Sequence, residues 1–150
     1  MDFRNRQDLP KGIRNNNPGN LRDYGINWLG LAEHVPDNGM CIFIDMKYGI
    51  RAFLECYHAD VTKHGIATVQ QYTTKYAPPS ENNTSNYIGF ICSHTGLNPD
   101  SPLPTDTDTV VKLFQAQIGM EDGTASSMVS MDDIQTGVAL FNQSVPNWLS

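Results

Sequence analysis

Charge is scarce in this chain: 17% of its 150 residues are Asp, Glu, Lys or Arg, and neither a run of like charge nor a low-complexity tract occurs. That patterning excludes disorder beyond the ends. Lys and Arg total ten, lie scattered, and face sixteen acids, for a net charge of -6. Nucleic acid is therefore not an expected partner, because a phosphate backbone is gripped by clustered cations. Long apolar runs are missing too, so no membrane span is expected, and the polar first twenty residues contain no signal-peptide core. Work outside a cytoplasm then needs another agent for delivery or release. Cysteine is limited to Cys41, Cys56 and Cys92, and the four His residues (34, 58, 64, 94) are dispersed. An odd count without ligand spacing predicts no disulfide framework, no metal site and no cofactor. Cys56 and Cys92 fall among apolar neighbours in helical patterns and are expected as buried thiols.

What the chain does have is a dense polar loop, Gly12-Ile13-Arg14-Asn15-Asn16-Asn17-Pro18-Gly19-Asn20-Leu21-Arg22. Four Asn, two Gly, one Pro and two Arg in eleven residues suit neither a helix interior nor a strand. Asn and Gly tolerate left-handed backbone, and Pro fixes its own φ, so a tight hydrogen-bonded loop is expected. Its amides and guanidiniums either line a polar cleft or satisfy their own backbone as a structural knot.

Around that loop, residues 1–40 read as irregular, with Trp28 anchoring the coil to the core. Cys41-Ile42-Phe43-Ile44 is a short β-prone run that pairs with residues near 28–33. Asp45 then caps a helix whose Ile50, Phe53, Leu54, Tyr57 and Val61 share one face, and Gly65 stops it. Thr68 to Gln71 has capping-box spacing for a second helix, which Pro78 and Pro79 end. Asn83 or Thr84 caps a third, closed by Gly96; a fourth runs from Thr105–Asp108 to near Gly123; Ser130 to Asp133, read as another capping box, opens a fifth. The fold class expected is mainly α: about five helices in one domain spanning 1–150, with a small hairpin near residues 28–45. At 150 residues one compact core is the natural outcome.

Three segments in this order, the Gly12–Arg22 loop, Tyr48-Gly49-Ile50-Arg51-Ala52, and Tyr76-Ala77-Pro78-Pro79-Ser80-Glu81-Asn82-Asn83-Thr84 with Tyr87-Ile88, resemble a group of small phage and prophage proteins. The resemblance covers roughly residues 11–123. Members are described as virion structural proteins, and some as lysozyme-like or transglycosylase-like. It implies a lysozyme-like frame, a virion or infected-cell location with action in the periplasm or cell wall, and peptidoglycan glycan strands or other virion proteins as partners. Family members tend to carry His-Glu-Asn-Gly near the end of the fourth helix. Here Met120-Glu121-Asp122-Gly123 keeps the Glu and changes both flanking residues.

Glycoside cleavage needs a carboxylic acid to protonate the leaving oxygen, and usually a second carboxylate. Three Glu residues are candidates for the acid. Glu81 follows two prolines in a rigid loop, or serves as an acid near the helix cap at Asn83. Glu55 lies in the first long helix, or is simply a boundary residue there. Glu121 sits at a helix C-terminus, where the dipole disfavours a carboxylate. Arg14, Asn16, Asn20, Tyr76, Asn83 and Tyr87 are the candidate substrate contacts, and Arg14, Asn16, Glu81 and Asn83 are expected to converge on one concave surface. Arg51 reads as a structural tie. Tyr24 and Tyr48 join Tyr76 and Tyr87 as possible stacking platforms, although Tyr at helical spacing also fills cores. The function expected is a phage-associated muramidase or lytic transglycosylase; the alternative is a non-enzymatic virion component that keeps the same frame.

Overall fold

A computed structural model describes residues 1–150. The order of elements is α1 (Lys11–Arg14), β1 (Leu31–Glu33), β2 (Ile42–Phe43), α2 (Met46–Thr62), α3 (Val69–Tyr76), α4 (Thr84–Thr95), α5 (Thr107–Asp122), a 3-10 segment (Gly123–Met128) and α6 (Met131–Ser144). The fold is mainly helical, with one two-stranded antiparallel sheet, as the sequence pattern anticipates. No helix is long and apolar enough to cross a membrane.

The local signals act where they stand in sequence. Asp45 accepts from the Lys47 amide at the start of α2, and Thr68 and Gln71 form a reciprocal capping box on α3. Asn83 caps α4, and Gly96 closes it at φ +76, a left-handed angle that glycine adopts without a Cβ penalty. Ser130 accepts from Asp133 N at the start of α6. The expected return bond is missing. Asp133 is an Asp, one methylene short of the Glu or Gln that closes a capping box. Its carboxylate instead meets the Met1 amino group at 2.6 Å, and Asp45 holds the same amine at 2.9 Å.

α2 is the central element. Its Ile50, Phe53, Leu54 and Tyr57 enter a core shared with Tyr72, Ile91, Leu113, Phe114, Ile134 and Phe141. α2 packs most extensively along α6, where Gly137 leaves room for Ile50: a Cβ there would lie 2.5 Å from Ile50 Cγ2. Burying a side chain such as Phe or Leu contributes roughly 1.5–3 kcal/mol, so this seam is a major source of stability. The hairpin covers a small satellite of Cys41, Phe43 and Ala52, and Trp28 packs there rather than on the main core.

Three readings need correction. The segment 1–40 contains one helical turn, α1, because the Pro10 carbonyl at its N-cap accepts from the amides of Ile13 and Arg14. The chain also makes a 3-10 stretch after α5, which no apolar period marks. Finally, the fully buried cysteine is Cys41, whereas Cys56 and Cys92 are only partly covered.

Candidate functional site

The Asn-rich loop divides its amides between two tasks. Asn16 is fully buried at φ +52. Its oxygen accepts from Phe3 N at 2.9 Å, and its nitrogen donates to Asp2 Oδ1 at 2.8 Å and Phe43 O at 2.9 Å. Asn17, also fully buried, donates to Leu21 O and Cys41 O and accepts from Leu21 N. These two amides tie α1 to the hairpin through backbone groups of Phe3, Leu21, Cys41 and Phe43. α2 lies directly against them, since a Cβ on Gly49 would fall 1.8 Å from Asn16 O. Asn20, four residues on and also at φ +52, behaves differently: it reaches a groove.

That groove has a volume of about 770 Å³. One side is the end of the loop, Gly19–Arg22, with Tyr24 and Trp28 from the arm that follows. Asp23, nearly buried, fixes the arm by accepting from the amides of Gly25 and Val35, with His34 Nδ1 at 3.0 Å; these partners hold its carboxyl below the usual range. The second half of α2, the end of α3, Glu81 with Asn82, and Glu121 complete the wall. Segments remote in sequence therefore meet at one concavity.

All three candidate acids line it. Glu121 is the most constrained: Asn20 Nδ2 donates to Oε2 at 3.0 Å and Tyr87 OH to Oε1 at 3.2 Å. Gly123, at φ +61, caps α5 just beyond it. Burial, reinforced by the Glu121 charge, pushes the Tyr87 hydroxyl far above its ordinary range, so it remains a donor. Glu55 stands 3.3 Å from Arg51, which also donates to Ser144 Oγ at 2.8 Å. Arg51 is thus a tie between α2 and α6. Glu81 is exposed in the turn after Pro79.

The expected convergence of Arg14, Asn16, Glu81 and Asn83 does not occur. Glu81 alone of the four lines the groove. Asn16 has every amide atom engaged in the interior, Arg14 donates to Leu9 O at 3.1 Å, and Asn83 spends its oxygen on the Asn86 amide as the α4 cap. Tyr87 is buried and touches the site only through its hydroxyl. Asn20 and Tyr76 do line the groove, as does Tyr24, which is 70% exposed and free to stack. Tyr48 instead packs on the hairpin satellite.

Two acids at the site were not among the residues the sequence put forward for it. Asp60 is 1% exposed, with its oxygens taken by Lys75 Nζ, His64 Nδ1 at 2.9 Å and Tyr76 OH at 3.1 Å. A buried carboxylate is tolerated only when paired in this way. Asp122 is 5% exposed and neither of its oxygens has a partner. Burial first, and the neighbouring Glu121 charge second, raise it to about 7. Both positions carried a signal, for Asp60 follows Tyr57 by three and Asp122 follows Ile118 by four, on buried helix faces. Cys56, also in the groove, is pushed up to about 12 by burial and is no nucleophile.

No family model matches this chain. It is 33% identical over 133 residues to Protein P5 of Pseudoalteromonas phage PM2, across 87% of this chain and 81% of that protein. The chain belongs to the family of that phage protein.

Proposed function

We propose that this phage-related protein binds peptidoglycan glycan strands in the groove and cleaves them, as a muramidase or lytic transglycosylase on a lysozyme-like frame in one domain. The observation that carries the reading is Glu121, a carboxylate at the groove wall with each oxygen held by a donor from a different segment. Fixed orientation is what a general acid needs to meet a glycosidic oxygen, since misplacement by an ångström costs orders of magnitude in rate. In the mechanism the protonated form of Glu121 gives its proton to the leaving oxygen while Asn20 keeps the carboxyl in place, and the carboxylate so formed is the state that both donors hold at rest. Glu81, free in the same groove, serves as the second carboxylate, while Glu55, paired with Arg51, is a fixed part of the groove wall. Tyr24, Trp28 and Tyr76 offer apolar faces to sugar rings. The kinship with a phage protein supports a place in the particle, acting on the wall during entry or release.

A second reading has its own support. Hydrogen bonds that occupy both Glu121 oxygens also suit a purely structural tie, and a net charge of -6 opposes approach to an anionic wall. On that reading the protein is a virion assembly component. The test is release of soluble saccharides from purified peptidoglycan by wild type and by Glu121→Gln, Glu81→Gln and Glu55→Gln. The enzyme reading expects release by wild type, abolished in Glu121→Gln with folding intact, and mass analysis then separates anhydro from hydrated ends. Folded wild type that releases nothing across pH and salt overturns the enzyme reading and favours the assembly one.

A further inference from the structure

Around Asp60 the groove lining gathers three basic side chains, apart in sequence from the other lining cation, Arg22. Lys63, His64 and Lys75 line this end together, in a chain with only ten Lys and Arg. His64 and Lys75 are both tethered to Oδ1 of Asp60, whose side chain is 1% exposed, while their own side chains are 53% and 43% exposed. The buried acid thus acts as a floor that holds two basic side chains and lies out of a ligand's reach. An ammonium has three donors and Lys75 spends one on Asp60. His64 uses Nδ1, and its Nε2 makes no bond within the protein. Lys63 is exposed and enters no ion pair. Glu55, the nearest other acid on α2, is already opposed by Arg51. Two lysines against one sequestered carboxylate leave this end with an excess of positive charge and several donors still available.

From this we infer that the Lys63–His64–Lys75 end of the groove is a subsite for a carboxylate-bearing substituent of the bound glycan, the chemistry of a lactyl or peptide carboxyl group on a sugar ring. The inference rests on the glycan-binding reading above and sharpens it: neutral glycans fill the aromatic part of the groove, and acidic substituents select for this end. It also gives the Asp60 cluster a task beyond joining α2 to α3. The interaction is largely electrostatic at a partly exposed site, so added salt weakens the preference.

The experiment uses two probes, a disaccharide dipeptide of the N-acetylmuramyl type with its peptide carboxyl free, and the same molecule with that carboxyl amidated. Binding is followed calorimetrically with the full chain. Wild type is expected to bind the acid form at least tenfold more tightly. The double variant Lys63→Gln, His64→Gln, in which Gln keeps a donor for Asp60 and Lys75 stays in place, is expected to lower that ratio below twofold, with affinity for the amidated probe unchanged. If the double variant misfolds, Lys63→Gln alone, at an exposed position, is expected to lower the ratio at least threefold. Equal binding of the two probes by wild type, or a ratio unmoved in the folded variants, overturns the subsite and leaves the glycan groove standing. No binding of either probe at millimolar concentration overturns both. A preference for the acid form without any cleavage of peptidoglycan upholds the subsite and removes the enzymatic reading.

Discussion

Asn16 and Asn20 are four residues apart, share a left-handed backbone at φ +52, and belong to the same polar loop, yet they do opposite work. Asn16 is sealed in the interior with all its hydrogen bonds inside the protein, and it holds Phe3, Asp2 and the hairpin to α1. Asn20 stands at the groove and spends its nitrogen on one carboxylate, Glu121. The comparison teaches that residue type and backbone angle do not decide whether a polar side chain serves the fold or the surface. What decides is where its partner sits: a main-chain carbonyl under the hairpin in one case, an acid lining a cavity in the other.

The structural half of that contrast breaks hardest at Gly49. An added Cβ would meet Asn16 O at 1.8 Å, a backbone atom with little freedom to move. Gly49→Ala is therefore expected to cost more than about 3 kcal/mol by denaturant unfolding, as overpacking does at its upper end. Helix propensity alone predicts the reverse, a gain of up to about 1 kcal/mol, so a stabilised variant would show that α2 does not press on the loop. Asn16→Ala comes next. Three lost hydrogen bonds at about 1 kcal/mol each give an expected loss of about 3 kcal/mol, and a loss below about 1 kcal/mol would deny the amide its structural role.

Asp122 sharpens the comparison from the groove side, because it lies beside Glu121 and has no partner. Well below pH 3.8 its carboxyl is protonated in folded and unfolded chains alike and adds no pH-dependent cost. As pH rises the unfolded chain ionises first, so stability falls by about 1.4 kcal/mol per pH unit until the buried group itself ionises near 7. Asp122→Asn is expected to remove that part of the slope, which urea melts at pH 5, 6 and 7 measure directly. An unchanged slope would mean that Asp122 is solvated.

The helices were legible because their signals are local. Thr68 with Gln71, Asn83 three residues before Asn86, and Gly96 one residue past Thr95 each act within a single turn. The fates of the loop amides were not legible, because Asn16 reaches Phe43, 27 residues away, and Asn20 reaches Glu121, 101 residues away. No spacing rule encodes such pairs. Asp60 was overlooked for a different reason. It occupies a buried helix position, and only the arrival of Lys75 and Tyr76 from α3 explains how a carboxylate is kept there.

The link between Asn20 and Glu121 is the centre of the account, and Asn20→Ala tests it most directly when clearing of a peptidoglycan suspension and urea stability are measured on one preparation. The expected result is a fall in clearing rate of about tenfold or more, from a freed acid, in a variant that still folds and loses about 1–3 kcal/mol of stability through the missing hydrogen bond and Ala at φ +52. Clearing at the wild-type rate by the folded variant would contradict it, and so would a folded wild type that clears nothing.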